Sequence, residues 1–323
     1  MKRRTSIATR SWHLHAIVCT ALLLGSVSAP LGAQEARELA DSGVAESGSW
    51  RSLVGPGDMH DDALLLGRSG RLRFVLAGTG GTAPDLSSVQ RLFGDSAATR
   101  PGVYTARDGD SDQAFSVMTL LPFDAKSGAT VNGYRVGYWP AERRTSGTHE
   151  TPPGFIVVRQ EDQDTRVSEH FTLRDFLTHD QRDVWPKLLV LRTELVDKLE
   201  LVMEELNRTG VRATRMVVLS GFRTPQYNQR GVGRGGRASD SRHQYGDAAD
   251  VFVDNDGNGR LDDLNGDKRV DSRDVRVMLK AVERVEKAWP ELVGGAGLYK
   301  ATSAHGPFVH IDVRGTRTRW GGA

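Results

Sequence analysis

Three side chains in two distant segments offer the ligand chemistry of a divalent metal. The first segment reads Ser241-Arg242-His243-Gln244-Tyr245-Gly246-Asp247-Ala248-Ala249-Asp250 and runs into the apolar Val251-Phe252-Val253. That pattern predicts a strand with Asp250 at its entrance and His243 in the loop before it. The second segment is Phe308-Val309-His310-Ile311-Asp312-Val313. Its alternation places His310 and Asp312 on one face of a strand. Zinc accepts imidazole nitrogen and carboxylate oxygen, and a catalytic zinc keeps three protein ligands and one open position. Two histidines and one aspartate meet that need. Spacing alone does not settle the matter, because a lone histidine beside a strand is commonplace and short motifs recur by chance.

The composition narrows the chemistry. The only cysteine is Cys19, inside an apolar run that is expected to be removed. Disulfides and thiolate ligands are therefore excluded from the expected mature chain. The net charge of +2 over 323 residues gives no basis for nucleic-acid binding, which calls for a basic stripe or patch. Residues 1–33 have the layout of a secretory signal peptide. The basic Met1-Lys2-Arg3-Arg4 precedes apolar residues around Ala21-Leu22-Leu23-Leu24, and small residues end at Ala33. The apolar run is shorter than the roughly 20 residues of a spanning helix. The expectation is export to the periplasm or the extracellular space, with no stable membrane insertion after cleavage.

The elements that must position these residues follow from periodicity. Residues 34–70 are rich in Gly, Ser, Asp and Glu and read as a linker. Short strand-like runs at 72–77, 102–105 and 115–121, separated by Gly, Pro and Asp, predict a small all-β domain over 71–130. It carries no catalytic cluster and reads as a spacer or wall-binding module. The second domain, 131–323, is expected to be α+β with a small, mainly antiparallel sheet. Helices are predicted at 171–177, 188–207 and 272–289, and strands at 155–158, 216–219 and 308–313.

The stretch S-x-H-x-x-G-x-A-x-D, residues Ser241 to Asp250, resembles the signature of the zinc D-Ala-D-Ala carboxypeptidase and murein endopeptidase superfamily. That group also includes VanX-type dipeptidases, phage endolysins and the Hedgehog signalling domain. Ser220-Gly221-Phe222-Arg223-Thr224 is similar to the group's S-G-[YF]-R-[ST] segment. Val167-Ser168-Glu169-His170-Phe171-Thr172-Leu173 resembles the usual opening of the domain, and the F-V-H-[IV]-D ending resembles the murein endopeptidase branch. The likeness spans about residues 134–320. It implies the Hedgehog/D-Ala-D-Ala-peptidase-like fold and zinc on His243, Asp250 and His310. It also implies hydrolysis of a stem-peptide or cross-link bond in peptidoglycan, and Arg223 as the cation on the substrate carbonyl or its developing oxyanion. Many relatives carry a Glu shortly before the last histidine. Here His305-Gly306-Pro307-Phe308-Val309 holds no carboxylate. The general base is then His305 or Asp312, with Asp312 the better fit to a role in orienting His310. A D-Ala-D-Ala carboxypeptidase and a non-catalytic zinc-containing wall-binding protein remain open alternatives.

An acidic insertion at 254–274 follows the first ligand strand. Asp254, Asp256, Asn258, Gly259 and Asp262 fall at positions 1, 3, 5, 6 and 9 of an EF-hand-like loop. Asp263, Asn265, Asp267, Asp271 and Asp274 fit positions 1, 3, 5, 9 and 12 of another, which leads into a helix as in dockerin repeats, which it resembles. Alternating short oxygen ligands around a tight turn suit calcium. The registers overlap at Asp263 and Asn265, so two independent sites are not expected. At least one structural calcium is.

Overall fold

The computed structural model describes residues 68–78, 90, 93–107, 114–143, 150–233 and 236–321. The expected signal peptide and nearly all of the expected linker lie outside the described residues. The described chain mixes helices and sheets. Its strands are β1 (Phe74–Ala77), β2 (Gly102–Arg107), β3 (Ala114–Thr119), β4 (Leu121–Pro122), β5 (Thr130–Val131), β6 (Tyr134–Arg135), β7 (Gly154–Val158) and β8 (Lys187–Leu189). Then come β9 (Met216–Ser220), β10 (Ala248–Val253), β11 (Gly295–Tyr299), β12 (Phe308–Asp312) and β13 (Thr318–Trp320). The helices are α1 (Asp95–Thr99), α2 (Leu173–Phe176), α3 (Thr193–Arg208), α4 (Pro225–Gln229) and α5 (Ser272–Ala288).

The largest sheet has five strands in the order β13-β11-β12-β10-β9. Only the β11–β13 pair is parallel; β9–β10, β10–β12 and β11–β12 are antiparallel. One face is apolar. Ala249, Val251, Val253, Val309, Ile311, Ala296 and Leu298 share a buried cluster with Leu195, Leu199 and Val202 of α3 and with Val275, Met278, Val282 and Val285 of α5. Both helices bury a stripe at helical spacing. Helix α3 runs out at Thr209, and Gly210 follows with φ 82°. Helix α5 starts in an Asp271–Asp274 capping box and stops before Pro290.

One feature departs from the sequence-based expectation. Leu188 and Leu189 open no helix; they form β8, pairing with β7 through Ile156 and Val157. Four apolar residues in a row, all buried, suit a strand covered on both faces, and the helical period begins only at Thr193. The sheet β1-β3-β2 is apolar on both faces. Leu72, Phe74, Val103, Met118 and Leu120 join the same buried cluster as Phe155 and Phe176. The opposite face (Val75, Ala77, Phe115 and Val117) is covered by Ala97 of α1. The core therefore continues across residue 130.

Candidate metal centre

The site is one row across the polar face of the five-stranded sheet. Ser220 of β9 pairs with Asp250 of β10, Asp250 with His310 of β12, His310 with Gly297 of β11, and Gly297 with Trp320 of β13. Directly opposed residues share a face and bring their side chains together. Asp250 is thus the third residue of its strand, not at its entrance. His243 reaches the row from the 3-10 turn Arg242–Tyr245. That turn ends at Gly246, in the left-handed region at φ 67°, where a Cβ would come within 2.3 Å of the Val190 carbonyl oxygen. Only glycine allows this close reversal into β10.

Hydrogen bonds fix both imidazoles. His243 Nδ1 donates to the Gly221 carbonyl oxygen at 2.7 Å, so Nε2 carries the lone pair. His310 Nε2 donates to Asp312 Oδ2 at 3.1 Å, which leaves Nδ1 as the inward atom. Asp250 Oδ2 is occupied by Arg223, and Oδ1 faces the histidines. The three inward atoms form a tight triangle. His310 Nδ1 lies 2.9 Å from Asp250 Oδ1, His243 Nε2 3.2 Å from His310 Nδ1, and His243 Nε2 3.3 Å from Asp250 Oδ1. A tetrahedral zinc about 2.0–2.1 Å from each donor requires edges of about 3.3 Å. The donors fit one face of that tetrahedron.

Three buried electron pairs that close repel unless a cation sits among them. Burial, reinforced by Arg223, pushes the His243 imidazole down to about 4 against the pull of Asp250, so it is neutral near pH 7 as a ligand must be. Burial opposes charge on His310 too, yet its bonds to Asp250 and Asp312 raise its pKa above the ordinary value. Burial would raise the Asp250 carboxyl, but His243 and His310 hold it well below its ordinary range.

The remaining expected residues fall as follows. Arg223 is buried, with Nε donating to Ser220 Oγ at 2.8 Å and Nη2 to Asp250. No bond from its Nη1 occurs among the described residues. Asp312 is buried and accepts from Gly295 N at 2.7 Å and from Arg314 as well as from His310. Burial would raise its pKa, and the bonds from His310 and Arg314 keep it far below. A carboxylate so committed orients His310 and is poorly placed to take a proton. His305 stands outside the ligand triangle, in the loop before β12. Its Nδ1 lies 2.8 Å from the Gly306 carbonyl oxygen, and its ring sits edge-on to Phe308 with centroids 4.9 Å apart.

The two acidic loops differ. Asp254, Asp256 and Asp262 gather carboxylate oxygens within 4.8 Å of one another, with Asn258 donating its backbone N–H to Asp254 and Asp256. The second stretch repeats the same turn nine residues on, with Lys268 at φ 65° where the first has Gly259 at φ 79°. Its carboxylates are not gathered. Asp263 accepts backbone N–H groups from Gly266 to Lys268, Asp267 and Asp271 pair with Arg273, and Asp274 caps α5 and accepts from Leu264 and Asn265.

An aromatic border went unread in the sequence. The Trp320 ring lies 5.2 Å from that of His310, and its Nε1 donates to Tyr299 Oη at 3.1 Å. Tyr299 stacks on Phe308 at 4.6 Å. Trp320 crosses β11 because Gly297 has no side chain; a Cβ there would meet the indole at 2.1 Å. The available signal was a tryptophan isolated in the polar Gly315-Thr316-Arg317-Thr318-Arg319 tail. No family model matches the sequence, and neither a curated protein nor a solved structure matches the chain.

Proposed function

We propose that this chain is a zinc-dependent peptidase of the D-Ala-D-Ala carboxypeptidase and murein endopeptidase kind, exported and acting on peptidoglycan stem-peptide or cross-link bonds. The carrying observation is the triangle of three inward lone pairs on His243, Asp250 and His310, each fixed from behind by Gly221, Arg223 and Asp312. The sequence resemblance of Ser241–Asp250 and Ser220–Thr224 to that superfamily supports the same reading. Zinc held there would supply Lewis acidity toward a peptide carbonyl and lower the pKa of a water. The protein's share is orientation and charge. Asp312 holds the His310 ring in the tautomer that presents Nδ1. Arg223 holds Asp250 Oδ2 and would offer its Nη1 to negative charge that grows on the scissile carbonyl. His305 is the group left to accept a proton, since Asp312 is already fully engaged. Among the described residues no helix is long and apolar enough to cross a membrane.

Purified sacculi incubated with the zinc-loaded protein are expected to release muropeptides, with loss of release on chelation and in His243→Ala. Release that survives the chelator would remove the proposal. We infer in addition that Asp254, Asp256, Asn258 and Asp262 hold one calcium that braces the chain leaving β10. Calcium is then expected to raise Tm in the native chain and not in Asp256→Ala; an unchanged wild-type Tm at millimolar calcium counts against it.

A further inference from the structure

Beyond Asp312 the chain doubles back onto the metal row. It turns at Gly315, whose φ is 82° and whose N–H donates to the Val293 carbonyl oxygen at 2.9 Å. It then returns as β13, parallel to β11. Arg314 opens this turn and reaches back to Asp312. Its Nε lies 2.9 Å from both carboxylate oxygens, Nη2 donates to Oδ2 as well, and its backbone N–H donates to Oδ1 at 3.1 Å. The guanidinium also lies over the Trp320 ring, 5.6 Å from its centroid. A forked, charge-assisted contact fixes the plane of a carboxylate as well as its position.

Two glycines make room for that contact. A Cβ on Gly295 would come within 2.4 Å of Asp312 Oδ2 and 2.8 Å of Arg314 Nη2, and one on Gly294 within 1.9 Å of the Asp312 carbonyl oxygen. Gly294 also anchors the returning strand, since its carbonyl oxygen accepts from Thr318 N at 3.2 Å and from Arg319 Nη1 at 2.8 Å. Asp312 is thus gripped between the β11 backbone and one guanidinium. Its Oδ2 takes both the Arg314 fork and His310 Nε2, the latter at 3.1 Å. Two effects oppose each other. Arg314 draws charge from Oδ2, which weakens the bond to His310, and it stops the carboxylate from rotating, which preserves that bond. Asp312 is fully buried. A buried charge stripped of its partner is strongly disfavoured, so Asp312 would swing toward another donor rather than hold its present plane. The positioning effect therefore outweighs the drain of charge.

We propose that Arg314 is a positioning residue of the metal centre. It clamps Asp312 against the Gly294-Gly295 backbone so that Oδ2 faces His310 Nε2, and the His310 ring then presents Nδ1 to the ligand triangle. The clamp depends on the fork. A lysine ammonium carries the same charge as a point and leaves the carboxylate plane free. The proposal rests on His243, Asp250 and His310 as ligands and is independent of which bond the protein cuts.

Metal binding by the full chain tests the clamp without reference to hydrolysis. Competition with a chromophoric chelator would give the Zn2+ affinity of the native protein, Arg314→Gln and Arg314→Lys. The visible spectrum at saturating Co2+ would report the ligand geometry. Arg314→Gln is expected to bind Zn2+ about tenfold more weakly and Arg314→Lys at least about threefold, as losses behind a metal-bound histidine do, with an altered Co2+ spectrum in both. In an Asp312→Asn background the same substitutions should change affinity by less than about twofold, because the carboxylate they would release is gone. Arg314→Lys carries the test alone if Arg314→Gln does not fold. Native affinity and spectrum in the lysine variant, or an equal loss with and without the Asp312 carboxylate, would overturn the clamp and leave the ligand assignment standing. A native protein that takes up neither ion would overturn the ligand assignment and the clamp with it.

Discussion

His310 donates from its outer ring nitrogen to Asp312, two residues further along the same strand, at 3.1 Å. The two side chains share a face because the strand period is two. The bond fixes which nitrogen of His310 points inward, and Asp312 is itself held by the Gly295 N–H and by Arg314. A partner of this kind raises the basicity of a ligand and locks its orientation, and its loss costs about 10–100-fold in metal affinity. Asp312→Ala is therefore expected to weaken zinc binding by about that factor while His243 and Asp250 stay in place. Competition with a chromophoric chelator measures it; unchanged affinity would mean that Asp312 only stabilises the fold.

Beneath the same strand end, Lys198 of α3 is fully buried. Its Nζ donates to Glu286 at 2.8 Å and to the Asp312 carbonyl oxygen at 2.7 Å. Burial drives its pKa below the ordinary value, opposed by Glu286. Lys198→Met removes the cation and leaves the Glu286 carboxylate with Arg319 as its remaining charge partner. Breaking a buried pair from one side costs about 3 kcal/mol. Denaturant unfolding should show a loss of that order, and the double variant Lys198→Met/Glu286→Leu should recover part of it. No recovery would argue that the loss comes from the Asp312 carbonyl instead.

The parts legible in the sequence were those whose chemistry restricts residue type. His243, Asp250 and His310 could be picked out because few side chains can ligate a divalent metal, and the alternation of β12 showed where Asp312 points. Helix α5 was legible because apolar spacing, an acidic cap and Pro290 agree. Other parts depend on tertiary contact. Leu188–Leu189 became a strand because β7 was available to pair with it, which no local pattern reports. The second acidic loop also matched calcium spacing, with Lys268 where glycine is usual. Arg273 and the helix cap occupy its carboxylates, and spacing does not register that competition.

The close passage of Trp320 over Gly297 is directly testable. Gly297→Ala places a methyl group where the indole lies. Either the ring or strand β13 must shift, and overpacking of this kind costs about 1–3 kcal/mol. Thermal unfolding should show a lower Tm for Gly297→Ala. Combining it with Trp320→Ala should restore most of the difference relative to Trp320→Ala alone. If the alanine is equally costly with and without the indole, the backbone of β11, and not Trp320, is what demands glycine.

A last expectation concerns pH, at a pair far along the chain from the metal row. His170 Nδ1 lies 2.7 Å from Glu200 Oε2, and Glu200 Oε1 accepts the His170 backbone N–H at 2.9 Å. The bond to Glu200 raises the His170 pKa above its model-compound 6.5, outweighing burial. Burial would raise Glu200, yet the bonds from the His170 ring and backbone bring it below its ordinary 4.5. The unfolded chain loses both effects. The histidine's stabilisation is therefore complete below about 6.5 and fades as pH climbs through the higher folded-state value. The glutamate's is present above about 4.5 and is lost as acid protonates it. The Tm advantage of the native protein over His170→Gln should peak between these limits, near pH 5 to 6, and decline toward pH 8. Differential scanning calorimetry across that range tests the pair; an advantage independent of pH would show that the imidazole contributes only as a neutral hydrogen-bonding group.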